Sequence, residues 1–274
     1  MPFLELHASP HAPGLSPVRI HYREAGQGAP LLYLHGGWGY GYYPLDRQIA
    51  EFGERFRFLM PDRSGYGQST QVTGELPLDF HHRAAAETLA FLDALGIAQC
   101  SFWGHSDGAV IAAMIALAAP QRCRCLLLEA FHYWRAKPSS RNFFSRFAEQ
   151  PEDLGEETRR ILAGEHGDPC WQEVVRRHSR MWKRIGEGAS GPEDDFYGGR
   201  LGDLRVPALF LHGRLDPRTE PGEIERVQQL LPQSALHFIE NGRHCPHSED
   251  AAFREFNAVL AGFLQRCLKQ PSSS

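Results

Sequence analysis

The chain is predicted to be an α/β protein, with a mostly parallel sheet flanked by helices, and three observations lead there. Short apolar runs of strand length alternate with longer stretches in which apolar residues recur at helical spacing. Several of the short runs are apolar nearly throughout, which suits strands covered on both faces. The alternation breaks once, between residues 131 and 203, where no run has strand character and three of the five tryptophans fall.

In chain order, strands are expected at 18–23, 31–35, 56–60, 100–103, 125–129, 208–212 and 235–239. Helices are expected at 79–95, where Ala85, Leu89, Leu92 and Leu95 form one stripe, and at 109–119, 221–231 and 250–268. Gly96 and Pro120 supply stop signals for the first two. Within the interruption, Trp171, Val174, Val175, His178, Trp182 and Ile185 recur at helical spacing, which reads as a packing stripe, with ligand contact as the alternative. The Gly-rich, acidic stretch 186–202 reads as a loop returning the chain to the sheet. The expected layout is a core of residues 1–131 and 203–274, an inserted helical cap of residues 132–202, and a frayed tail at 270–274.

Composition narrows the function. Among 274 residues, 29 Lys and Arg face 33 Asp and Glu, a net charge of −4 that offers no basic surface for nucleic acid or anionic membrane. The longest uncharged apolar run, 108–120, falls short of the roughly 20 residues a membrane-spanning helix needs. The start, Met-Pro-Phe-Leu-Glu-Leu-His, has no basic segment followed by an apolar one, so a cytoplasmic location is expected. The six cysteines are expected to be reduced, with Cys123 and Cys125 as strand residues. Cys123 and Cys125 have no partner pair for a metal, and no Gly-Lys-Ser/Thr follows the glycines of 36–41. No cofactor or metal is expected; the partner is a small-molecule substrate, and the oligomeric state is open between monomer and homodimer.

The chemistry concentrates in Gly104-His105-Ser106-Asp107-Gly108, a G-x-S-x-G pattern between an expected strand and an expected helix. A turn that sharp lifts the serine hydroxyl off the sheet and leaves no room for side chains two residues before and after it. A serine hydroxyl needs a base, and the base an orienting acid. Asp216 follows the run 208–212 and His244 follows 235–239, so Ser106, Asp216 and His244 stand in the chain order of this kind of site. His247 competes as the base, and Glu129, at the end of the run 125–129, as the acid. An oxyanion needs two donors. The Asp107 N–H is one; the other is expected from His35-Gly36-Gly37-Trp38-Gly39, with Gly37 preferred and Trp38 second. His35 and the pair His81 and His82 are expected in structural, solvent or capping roles.

These motifs, with Asp62-Arg63-Ser64-Gly65-Tyr66-Gly67-Gln68-Ser69, His212-Gly213 and Gly242-Arg243-His244, resemble the α/β-hydrolase fold family over nearly the whole chain. The resemblance is to its capped esterase, lactonase and peptidase-like members, and the Ser-Asp-Gly elbow is similar to bacterial esterases and the valacyclovir hydrolase-like branch. It implies an eight-stranded, mostly parallel sheet, a cap over the serine, and no cofactor. Haloalkane dehalogenases and epoxide hydrolases of this fold carry Asp where Ser106 stands, which disfavours both chemistries. The His-Gly-Gly-Trp-Gly loop is similar to that of proline iminopeptidases, but their Trp after the serine is absent.

The expected function is a serine hydrolase that cleaves a small to medium carboxylic ester through an acyl-enzyme on Ser106. A lactonase, an aminopeptidase-like enzyme, a C–C bond hydrolase, and a non-enzymatic small-ligand receptor are the alternatives. For the pocket, Trp38, Tyr40, Tyr42 and Tyr43 follow the oxyanion loop, and Phe131, Tyr133, Trp134, Phe143 and Phe144 open the cap. Trp38, Phe131 and Trp134 are expected to contact an apolar or aromatic substrate. The Asp107 side chain is expected either to receive a substrate ammonium or to cap its helix.

Overall fold

The computed structural model describes residues 2–269; the tail expected at 270–274 lies outside the described residues. Its strands are β1 (Phe3–Leu6), β2 (Val18–Ala25), β3 (Ala29–Leu34), β4 (Phe56–Pro61), β5 (Cys100–His105), β6 (Cys123–Glu129), β7 (Ala208–Gly213) and β8 (Ala235–Ile239). They form one eight-stranded sheet in the order β1-β2-β4-β3-β5-β6-β7-β8. The β1–β2 and β2–β4 pairs are antiparallel, and every later pairing is parallel.

Alternation along the central strands sorts side chains into two cores. Leu32 and Leu34 of β3 point to one face and Leu31 and Tyr33 to the other. The first face is covered by α2 (Phe80–Ala94) and α3 (Asp107–Ala118), the second by α1 (Asp46–Phe52) and α8 (Phe253–Lys269). Helix α3 is apolar all round because it is covered all round: every residue from Asp107 to Ala116 is buried. Helix α8 keeps a single stripe, Phe256, Leu260, Phe263, Leu264 and Cys267, against the sheet. Each such side chain contributes roughly 1.5–3 kcal/mol by leaving water, so a dozen fix the layers far more firmly than any surface ion pair.

The strand missing from the sequence reading is β1, a four-residue edge strand in which only Leu6 is buried, so it has no two-faced apolar signature. Helix α1 was also unread, because seven residues are too few to display a period. Between β6 and β7 come α4 (Arg141–Glu149), α5 (Glu156–His166), α6 (Cys170–Glu187) and α7 (Glu223–Leu230) follows β7; the interruption holds only an isolated bridge between Trp134 and Asp195. The stripe read on α6 is buried, and Trp182 stacks on Phe144 of α4 with ring centroids 5.5 Å apart. No helix among the described residues is long and apolar enough to cross a membrane. All six cysteines are free thiols.

Candidate active site

Ser106 sits between β5 and α3 with φ 54° and ψ −117°, a backbone conformation that side chains rarely adopt. The flanking glycines are required: a Cβ on Gly104 would lie 2.2 Å from the Gly108 carbonyl oxygen, and one on Gly108 would lie 1.9 Å from the Leu34 oxygen. Tight packing of α3 against β3 and β5 thus forces the turn that presents the hydroxyl at the carboxyl ends of the parallel strands, where open α/β sheets place their sites.

Loops after β7 and β8 bring the other two expected residues to the same edge. His244 Nε2 stands 3.2 Å from Ser106 Oγ, and Nδ1 of the same ring stands 2.9 and 3.0 Å from the two Asp216 carboxylate oxygens. Asp216 is buried, which would raise its pKa; the His244 ring, by charge and hydrogen bond, with His212 and the Arg218 N–H, holds it far below the carboxylate range instead. It is an anion at neutral pH. The competing pair lies elsewhere: Glu129 accepts from His247 Nδ1 at 2.7 Å and from Trp103 Nε1 at 3.0 Å, a closed buried unit. Neither side chain is bonded to the Ser106 hydroxyl; the Glu129 backbone carbonyl accepts from the Ser106 N–H at 2.9 Å and so only anchors the turn.

The amides of Asp107 and Gly37 donate to no protein acceptor among the described residues. Gly37 is pressed against His178, whose Nε2 lies 1.9 Å from where a Cβ would be, so a side chain there would displace that ring.

The Asp107 carboxylate is wholly buried and fully engaged. Oδ1 accepts from His81 Nε2 at 2.8 Å and Trp182 Nε1 at 3.1 Å, and Oδ2 accepts from His178 Nε2 at 2.7 Å. Burial alone would raise its pKa, but His178 and His81 outweigh burial and lower it well below the usual value. This corrects the expectation that the side chain receives a substrate ammonium or caps its helix: it ties α2, α3 and α6 together. His81 is likewise not a solvent residue; burial lowers its pKa and Asp107 supplies its partner.

A cavity of about 230 Å³ opens above Ser106. Its rings include Trp38, Tyr42, Tyr43, Phe143, Phe144 and Trp182, and its polar lining includes His132, His178 and Arg218. Phe131 and Trp134 do not line it. Phe131 stacks on Tyr197 at 5.6 Å and meets Phe210 edge-on at 5.1 Å, inside the core behind β6. Trp134 is half-buried, with its ring beside Gly222. Tyr40 and Tyr133 also face elsewhere. The chain reverses its facing within two residues, so that His132, not Phe131, meets the serine: His132 Nε2 is 3.3 Å from Ser106 Oγ.

Sequence reasoning missed His132 and Arg218. The available signals were position alone, two residues past the β7 acid for Arg218 and just beyond the end of β6 for His132. Among the described residues, no three His, Cys, Asp or Glu side chains are gathered as a metal ion would require.

The architecture, with a serine raised at a strand-to-helix turn on its carboxyl edge, is that of a hydrolase. The chain belongs to the alpha/beta hydrolase family, whose profile matches residues 31–258. Mouse (Mus musculus) serine hydrolase BPHL is 27% identical over 254 residues, spanning 90% of this chain and 84% of the relative. The 2-hydroxy-6-oxononadienedioate/2-hydroxy-6-oxononatrienedioate hydrolase 2 of Pseudomonas putida is 25% identical, over 90% of this chain and 92% of its own. A thermophilic esterase from Thermogutta terrifontis, solved with malate bound, superposes with a TM-score of 0.69 at 20% identity, covering 97% of this chain and 99% of that one. That last likeness is one of fold.

Proposed function

We propose that the protein is a carboxylic ester hydrolase acting through an acyl-enzyme on Ser106, with residues 132–202 serving as a cap over the site. The observation that carries this reading is His244 standing between Asp216 and Ser106, one ring nitrogen on each. The Asp216 anion fixes the proton on Nδ1, which leaves the Nε2 lone pair facing the serine hydroxyl. As Oγ attacks the ester carbonyl, His244 takes its proton, and the resulting imidazolium is stabilised by Asp216. The carbonyl oxygen becomes an oxyanion, received by the Asp107 and Gly37 amides. Collapse expels the alcohol, which takes the proton from His244; water, deprotonated by the same imidazole, then releases the acid and restores Ser106. A cavity of about 230 Å³ walled by aromatic rings favours a short acyl chain or a single ring. The sequence similarity to mouse serine hydrolase BPHL agrees with serine chemistry.

A fluorophosphonate probe is expected to label the wild type at Ser106 and to leave Ser106→Ala unlabelled, with turnover of a short aryl ester abolished in that variant. Equal labelling of both proteins would refute the assignment. Labelling without repeated turnover of any ester would instead indicate a ligand receptor.

A further inference from the structure

The cavity above Ser106 contains a permanent cation and no carboxylate. Arg218 lines it, and no aspartate or glutamate among the described residues does. The guanidinium lies over the face of Phe143, 3.5 Å from the ring centroid. That contact holds the flat group in place and leaves its N–H edge free, since none of its side-chain nitrogens donates to a protein acceptor among the described residues. Of Arg218, only the backbone N–H is engaged, on Asp216 Oδ1 at 2.9 Å, which ties the arginine to the acid of the proposed triad. Asp107, beside the nucleophile, is already saturated by His81, His178 and Trp182 and is not part of the lining, and the Asp216 carboxylate is taken up by His244 and the Arg218 N–H.

We propose that Arg218 is the specificity-determining residue of this pocket and that it binds a free carboxylate on the substrate, so that the preferred class is small esters bearing a second, unesterified acid group. The inference rests on the ester-hydrolase reading of Ser106 and extends it. A guanidinium presents paired N–H donors in the plane that a carboxylate accepts bidentately, and a compact ammonium would not match that fork. Arg218 is half-buried beside aromatic rings, so such a pair is partly shielded from water and the charge of the substrate becomes a discriminator. The same lining opposes a substrate ammonium, because nothing in it offers an acceptor charge and Arg218 repels one.

The test compares matched esters by kcat/KM: the monomethyl esters of succinate, glutarate and adipate against methyl butyrate, valerate and hexanoate, and the butyryl ester of 3-hydroxypropanoate against propyl butyrate. At least one anionic ester is expected to be preferred ten-fold or more. The ratio should collapse at least ten-fold in Arg218→Gln and be partly kept in Arg218→Lys, which preserves charge without the fork. No preference in any pair, or a preference unaltered in Arg218→Gln, would overturn the proposal while leaving the esterase reading intact. If no ester of either kind is hydrolysed and Ser106 resists labelling, the esterase reading fails. Calorimetric binding of the same pairs to Ser106→Ala then decides the inference by itself: tighter binding of the anionic member, lost in Ser106→Ala/Arg218→Gln, supports it, and equal binding rejects it.

Discussion

His132 and Ser106 form a contact that the expected triad does not include: His132 Nε2 lies 3.3 Å from Oγ, and His244 Nε2 lies 3.2 Å from the same atom. The two rings are stacked with centroids 5.9 Å apart. One hydroxyl cannot donate to both. His132 Nδ1 is buried without a partner, and an unpaired lone pair there costs less than an unpaired N–H, which places the His132 proton on Nε2. Nε2–H then donates to Oγ, while Oγ–H donates to His244. Burial, with Lys137 and His244 nearby, pushes the His132 pKa well below its ordinary value, so this ring is neutral at pH 7 and a donor rather than a second base.

His132 is therefore expected to position Oγ and stabilise charge as it develops there. His132→Ala should lower kcat for a simple ester roughly ten-fold, the worth of one hydrogen bond of about 1.4 kcal/mol. His132→Gln, which restores a donor, should recover part of it. An unchanged kcat in the alanine variant, measured by steady-state kinetics on folded protein, would reduce the contact to packing.

Asp216 and Glu129 are both buried carboxylates on histidines, yet only Asp216 reaches the ring that touches the serine. Asp216→Asn is expected to cost about 10⁴-fold in kcat with little loss of fold, because the wrong His244 tautomer is then favoured. Glu129→Gln should instead lower the melting temperature, leaving His247 or Trp103 unsatisfied at about 1–3 kcal/mol, with less than a ten-fold effect on kcat. A reversal of these two patterns would exchange their roles.

Three donors converge on Asp107, so Asp107→Asn should destabilise the fold by about 1–3 kcal/mol for each donor it fails to satisfy. Denaturant titration measures this. The wild type should show no preference for an α-amino ester over the ester lacking the amine; a clear preference that vanished in Asp107→Asn would mean that the carboxylate does meet the substrate.

Acid should weaken the fold through its buried histidines. Burial lowers His105 to about 3 and His11 to about 4. Between those values and the ordinary histidine value near 6.5, the unfolded chain binds protons that the folded protein does not, so stability falls as pH falls, by up to about 1.4 kcal/mol per unit for each ring. Asp107 and Asp216, both lowered, keep their contribution above roughly pH 4 and lose it only below. The urea midpoint is expected to drop steadily from pH 6.5 to 4.5; a flat midpoint over that window would show that these histidines protonate in the folded state.

Sequence alone determined the alternating strands and helices and the chain order of Ser106, Asp216 and His244, because these are local properties. Apolar runs covered on both faces are visible in composition, and a turn as tight as the one around Ser106 can be built only with glycines at 104 and 108. The edge strand β1 and the short α1 carried too little burial or length to leave such a mark. Tertiary structure decided which way side chains face once the chain leaves regular structure. Spacing could not tell that Phe131 turns into the core while His132 meets the serine, for there is no period after a strand ends. Nor could it tell that Asp107 is consumed by histidines from α2 and α6, 26 and 71 residues away in the chain. Hydrogen bonds across such distances depend on how helices pack on the sheet, and that packing, more than the motif it surrounds, sets the charge of the cavity.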